Sequence, residues 1–403
     1  MLLFDSLRVV FEKHNPDKPE KFFITKAQKY ENTKKIIIKF RAFPIACFRD
    51  CFYFFATKST KFVIKKLKAK KEILTMFFKY LRILMLVVLL ILSGCAYHQK
   101  IPFEKTKTLY QGQDANDILI LRQTPFFLTH NSASTYNRIG RPSARYDDQG
   151  EEQIYVDTEH PVIYYLKRNF TTQKGQYTNL IYRVHFPKVP FNLFPFFITA
   201  GKNVGLFVVI TLDAAKRPVL VTTVGTCGCY IAIVPTTFLP RDALPLKWPD
   251  DSIDIYGERL PSRLNYANMT NPKLLIYLRP GVHRVMDIAV VDEGTTRKSP
   301  HFTIIPASLK PMQELDRIPI HNGTTSFYYN KGVLKGHVKG SMKPWESIFL
   351  SLPSLDFFVG SDKIYADSKE TDNPFYTSLK PWNREASDMW NFATFLKFWG
   401  WRL

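Results

Sequence analysis

Residues 203–224 read NVGLFVVITLDAAKRPVLVTTV. Two runs rich in β-branched and aromatic residues, Asn203–Leu212 and Pro218–Val224, meet at a five-residue polar loop, Asp213–Arg217. That pattern predicts a β-hairpin, because such residues favour the extended backbone and the loop supplies the turn chemistry. Working outward, Val162–Leu166 and Leu180–Phe186 are short runs of the same kind, separated by the turn-rich KRNFTTQKGQYTN. Tyr230–Val234, Leu274–Leu278, Arg284–Val291 and Phe302–Ile305 add further expected strands. Pro240, Pro245, Pro249 and Pro261 punctuate 238–270, which reads as a long irregular connection at the surface or lining a site.

A helical period emerges only at the end. Arg384–Trp401 places Met389, Phe392, Ala393, Leu396 and Trp399 at three- and four-residue spacing, with Trp390, Phe395, Phe398 and Trp401 on the other sides. Such a helix either caps a sheet or touches a nearby membrane through its aromatic rings. The fold class expected is α+β, mostly antiparallel sheet with a C-terminal amphipathic helix, after an N-terminal signal or anchor helix.

With 45% apolar and 23% charged residues in 403, the chain is globular in composition, and 18 Gly with 26 Pro exclude a collagen-like architecture. A net charge of +21 suggests a nucleic-acid binder at first sight. The distribution argues otherwise. Residues 1–75 hold 18 basic and 7 acidic side chains, Lys79 and Arg82 follow, and residues 96–403 carry 36 basic against 28 acidic. The excess is therefore concentrated ahead of the most apolar stretch, Ile83–Leu92 (ILMLVVLLIL), and no basic stripe follows it. No nucleic-acid partner is expected.

Ten apolar residues are too few to span a bilayer and suit the core of an export signal. Leu92-Ser93-Gly94-Cys95 then resembles the lipobox of bacterial lipoprotein signal peptides. The resemblance covers residues 76–95. It implies acylation of Cys95 and cleavage before it, with several acyl chains giving durable anchoring. An uncleaved transmembrane anchor over about 74–97 and a buried core helix are the competing readings. Positive charge upstream places residues 96 onward outside the cytoplasm in either membrane reading. Ala96 after the cysteine favours, by the family's sorting pattern, the periplasmic face of the outer membrane. Residues 1–75 read as a basic extension preceding a signal that has its own Met76: either a start placed too far upstream or a cytoplasmic tail touching acidic lipid or nucleic acid. The organisation expected is thus 1–75 extension, 76–95 signal peptide, 96–117 polar tether, and 118–403 β-rich extracytoplasmic domain.

Catalytic signatures are missing. The chain has no G-x-S-x-G elbow, no H-E-x-x-H and no G-x-G-x-x-G after a strand. Gly336-His-Val-Lys-Gly-Ser341-Met-Lys lacks the spacing of a phosphate loop, so no nucleotide cofactor is expected. This favours a binding or scaffolding role over an enzyme. Three Asn-x-Thr sequons, at Asn169, Asn268 and Asn322, read as chance matches, given the bacterial source that the lipobox resemblance implies.

The densest chemistry is Gly225-Thr226-Cys227-Gly228-Cys229-Tyr230. Residues i and i+2 of an extended segment face one side, so the two sulfurs can close a disulfide, exchange electrons, or ligate a soft metal such as Cu(I) or Zn(II). A metal needs further ligands. His185 shares a strand face with Arg183 and Ile181, opposite the core-like Tyr182, Val184 and Phe186; His160 follows Asp157 and Glu159; His283 and His301 border other strands. A site in which Glu159, His160, Arg183, His185, Cys227 and Cys229 converge is the sharpest expectation. A satisfied structural role for each is the plain alternative.

Overall fold

The computed structural model describes residues 106–403, except 194–195, 268, 355 and 372–383, together with Met76, Phe78, Lys79, Tyr80 and Arg82. The chain divides into two compact units, Met1–Ser93 and Gly94–Leu403. In the first, the described residues between Met76 and Arg82 are helical. The basic extension 1–75, the apolar run 83–92 and Cys95 lie outside the described residues. Among the described residues no helix is long and apolar enough to cross a membrane.

The second unit is built on sheet. It opens with β1 (Lys107–Gln113), α1 (Ile118–Gln123), β2 (Phe126–His130), β3 (Arg141–Tyr146), β4 (Glu152–Asp157), β5 (Val162–Thr172) and β6 (Gly175–Val189). There follow β7 (Gly201–Leu212), β8 (Pro218–Gly225), β9 (Ala232–Pro235), β10 (Ser252–Ile255), β11 (Glu258–Pro261), β12 (Pro272–Leu278) and β13 (Val285–Asp292). The chain closes with α2 (Glu293–Arg297), β14 (Thr303–Pro311), β15 (Ile318–Ile320), β16 (Gly323–Thr325), α3 (Pro344–Ser354), α4 (Ser368–Thr371), α5 (Arg384–Ser387) and α6 (Phe392–Phe398).

The hairpin expected at 203–224 forms as β7 and β8. Its loop is fastened by Asp213, whose backbone carbonyl accepts from Lys216 N at 2.9 Å and whose Oδ1 accepts from Arg217 N at 2.9 Å, with Lys216 at φ 63°. Ten strands join in the order β13-β12-β2-β1-β14-β5-β6-β7-β8-β9. The expectation of an antiparallel sheet is corrected here. β1 with β14, β14 with β5 and β12 with β2 pair in parallel, so the sheet is mixed. The physical reason is the late strand β14, which inserts between β1 and β5 and runs with both; parallel pairing of this kind needs a long crossover and leaves no local sequence signal.

Two more expectations change. Residues 107–113, assigned to the tether, are β1 near the centre of the sheet, with Leu109 and Tyr110 buried. The connection 238–270 is not wholly irregular, since it contains the β10–β11 hairpin.

Both faces of the sheet are core. On β6, Leu180, Tyr182, Val184 and Phe186 enter one apolar cluster with Leu206, Val208 and Ile210 of β7. Ile181 enters another with Phe207, Val209 and the C-terminal residues Phe392, Phe395 and Trp401. The single expected terminal helix is two short ones, α5 and α6. Between them Asp388 Oδ1 accepts from Trp390 N at 3.0 Å and Asn391 N at 3.3 Å, a local side-chain turn that competes with helix. The pair docks on β5: Arg168 Nη1 donates to Trp390 O at 2.8 Å, its guanidinium lies 3.3 Å from the indole centroid, and Phe392 meets Phe170 edge-on at 5.4 Å.

Candidate functional site

β6, β7 and β8 end or begin side by side, and the register sets His185 opposite Gly205 and Leu206 opposite Gly225. Past Gly225 the chain turns tightly: Gly228 N donates to Gly225 O at 2.7 Å, and Gly225 N to Cys229 O at 2.8 Å. Gly228 at φ 90° allows the turn without the penalty a Cβ would bring. The turn sets Cys227 and Cys229 in contact, with Cα atoms 5.6 Å apart, as a disulfide. Cys227 is buried and Cys229 half-buried.

The disulfide forms one wall of a cavity of about 30 Å³, shared with Val189, Thr199, Tyr230, His283, Arg284 and Lys343. That volume holds one or two waters. His283 stacks on Phe186 with ring centroids 4.2 Å apart and planes 7° from parallel, and burial pushes its pKa down to about 3. Arg284 lies 5.4 Å from the Tyr230 ring centroid and pairs at 2.8 Å with Glu258, which also holds Arg279.

Behind the disulfide sits a sealed polar cluster. Thr226 donates its hydroxyl to Asp362 Oδ1, and Gly205 N donates to the same oxygen at 3.3 Å. Lys343 Nζ lies 3.2 Å from Asp362 Oδ2. Lys363 N donates to Thr226 O at 2.9 Å, and Lys363 O accepts from Arg183 Nη1 at 3.1 Å. Gly205 is required by this packing, because a Cβ there would stand 2.9 Å from both Thr226 side-chain atoms and from Val184 O.

Arg183 and His185, expected on the face away from the core, are both fully buried. Arg183 Nη1 also donates to Tyr328 OH at 2.8 Å, and its guanidinium lies 4.8 Å from the Phe207 ring centroid and 5.7 Å from that of Phe327. Burial lowers its pKa. His185 sits edge-on to Phe327 at 4.9 Å and to Tyr164 at 6.0 Å. Burial, reinforced by Arg183, holds its pKa well below the usual histidine range, so it stays neutral. Neither ring nitrogen has a hydrogen-bond partner.

The expected convergence is therefore partial. The structure puts Arg183 and His185 on β6 and the two cysteines in the turn after β8, with β7 between them, and His283, not His185, shares the cavity with the sulfurs. His160 is an exposed surface group whose Nδ1 lies 2.7 Å from Asp157 Oδ2, and Glu159 reaches only Arg138, at 3.9 Å. His301 is exposed as well. Among the described residues no group of three or more His, Cys, Asp or Glu is placed to hold a metal. Lys343, Asp362 and Lys363 escape a reading of the sequence, because nothing in Met342-Lys-Pro or Ser361-Asp-Lys matches a site motif. Chemically, the arrangement offers one disulfide accessible through Cys229, flanked by a neutral imidazole.

Compared with protein-family models, curated proteins and solved structures, the chain matches none.

Proposed function

We propose that this chain is a lipoprotein of the bacterial cell envelope, held to the membrane by acylated Cys95, with the 107–403 domain outside the cytoplasm in a binding or scaffolding role. The observation that carries the reading is Leu92-Ser93-Gly94-Cys95 at the end of a ten-residue apolar run that a basic segment precedes. One feature supports it: a Cys227–Cys229 disulfide suits an oxidising compartment. By Ala96, the periplasmic face of the outer membrane is the proposed location.

The test is metabolic labelling with a fatty acid, with intact mass of the extracted protein. Label that disappears in Cys95→Ser, on a product starting at Cys95, is expected. A product that retains residues 1–75 and carries no lipid would refute the reading.

A second reading is favoured by the half-buried Cys229: thiol–disulfide exchange with a partner dithiol. The partner's thiolate attacks Cys229, and Cys227 leaves as the thiolate. The partner's second thiol then releases Cys229, leaving the partner oxidised. Incubation with a reduced dithiol protein, followed by alkylation, tests it; no new thiols at Cys227 and Cys229 would dismiss it.

A further inference from the structure

The loop between β6 and β7 and the outer side of α3 form one apolar surface. Phe191 and Leu193 are 53% and 58% exposed, and Ile348 of α3 is 65% exposed. Phe191 stacks on the half-buried Trp345 at 5.9 Å, while Phe196 meets Trp345 edge-on at 5.7 Å and Phe349 at 6.3 Å. Exposed apolar side chains gathered over stacked rings are candidate contact surfaces for a membrane or a partner.

Three observations identify what covers it. First, β1, β14 and β5 run in one direction and β6 runs against β5, so the start of β1 and the end of β6 lie at the same end of the sheet. The aromatic loop therefore projects from the end at which the chain enters from Cys95. Second, eleven residues lie between Cys95 and Lys107, a span of twelve backbone steps. At no more than about 3.6 Å each, they hold the start of β1 within roughly 40 Å of the acylated residue. Third, Lys188 and Lys202 face each other across the base of the loop, and both are exposed. An aromatic and aliphatic tip with a lysine collar is the chemistry of insertion at an anionic bilayer surface, the rings entering the acyl boundary and the ammonium groups meeting the headgroups.

We infer that this end of the domain rests on an anionic phospholipid bilayer, with Phe191, Leu193, Trp345 and Ile348 inserted at its interface. The inference rests on the lipoprotein reading and adds an orientation to it: the Cys227–Cys229 turn, which follows the end of β8 at the same end of the sheet, faces the membrane.

The test uses the full-length protein extracted from membranes and reconstituted in phosphatidylethanolamine/phosphatidylglycerol vesicles carrying brominated acyl chains, which quench only tryptophan at the bilayer. The quenched share of emission is expected to fall at least about two-fold in Trp345→Phe, and likewise in Phe191→Ser/Leu193→Ser/Ile348→Ser. Trp345→Phe keeps an aromatic ring in the stack and decides the matter alone if the triple variant does not fold. Unchanged quenching in both variants overturns the inference, whether the patch is then bare or covered by a protein. Intact mass of the same sample separates the two readings: an acylated protein without Trp345 quenching loses only the orientation, and an unacylated one with Trp345 quenching loses only the anchor.

Discussion

Lys343 Nζ and Asp362 Oδ2 lie 3.2 Å apart with the side chains 4% and 1% exposed, an ion pair sealed inside the domain behind the Cys227–Cys229 turn. Its second oxygen is committed to the Thr226 hydroxyl and the Gly205 amide, so this one carboxylate ties residues 343 and 362 to β7 and the end of β8.

Removing one charge strands the other. Asp362→Asn keeps an acceptor for Thr226 and Gly205 but leaves Lys343 buried without its counter-ion, and is expected to cost about 3–5 kcal/mol in urea unfolding. Lys343→Met/Asp362→Asn removes both charges and is expected to be less destabilising than Asp362→Asn alone. A double variant as unstable as the sum of the singles would mean that the pair carries no coupling.

The disulfide closes a loop of three residues, and loop-closure entropy for so short a ring amounts to about 2 kcal/mol. Cys227→Ala/Cys229→Ala is accordingly expected to lower stability by about 2 kcal/mol or less, far below the effect of breaking the ion pair. In the parent protein, alkylation should find these two thiols only after reduction. Labelling of either one before reduction would count against the bond.

How much of this could be read from the chain differs by element. The β7–β8 hairpin was legible because both runs are apolar and Asp213 and Lys216 are turn residues. β1 was not: KTLYQGQ alternates weakly, and its burial comes from β14, nearly two hundred residues later. Strand alternation correctly grouped Arg183 with His185, yet the same rule placed them away from the core because it cannot see the second layer formed by Phe327, Tyr328 and the C-terminus. The cysteines were found from spacing alone. His283 was known only as bordering a strand, and its stack on Phe186 depends on the turn Arg279–Arg284, where Gly281 at φ 83° and His283 at φ 56° bend the chain back. The pairing of Lys343 with Asp362 has no local signature at all.

Acid should destabilise the domain through its buried histidines. Burial pushes His283 and His337 down to about 3, and His130 to about 4, from the usual 6.5. A depressed histidine is neutral when folded while the unfolded chain takes up the proton. The stability is thus complete above pH 6.5 and is lost as the pH falls from there toward 3. Each such group contributes a slope of about 1 kcal/mol per pH unit in that window. His283→Phe retains the stack on Phe186 without the titrating nitrogen, and its stability–pH curve is expected to be shallower by one proton between pH 6 and 4. Parallel curves for the two proteins would show that His283 does not titrate across unfolding.

The C-terminal aromatic residues divide between packing and exposure, and substitution can tell which governs. Phe392 is 2% exposed, touches Phe170 of β5 edge-on at 5.4 Å, and joins the apolar cluster that includes Phe207 and Val209. Trp399 is 39% exposed and is fixed chiefly by its indole N–H donating to Ala386 O at 3.0 Å. If α6 serves as a cap on the sheet, Phe392→Ala should cost about 3–5 kcal/mol by leaving a cavity. Trp399→Ala should cost less, about 2 kcal/mol, the worth of one hydrogen bond and a partly buried ring. Thermal unfolding in detergent and in vesicles reads both. For a cap, the ranking is the same in the two media, because β5 rather than lipid holds the helix. A Trp399→Ala loss that appears only in vesicles would instead assign this helix to the membrane and leave the sheet face beneath it without a cover of its own.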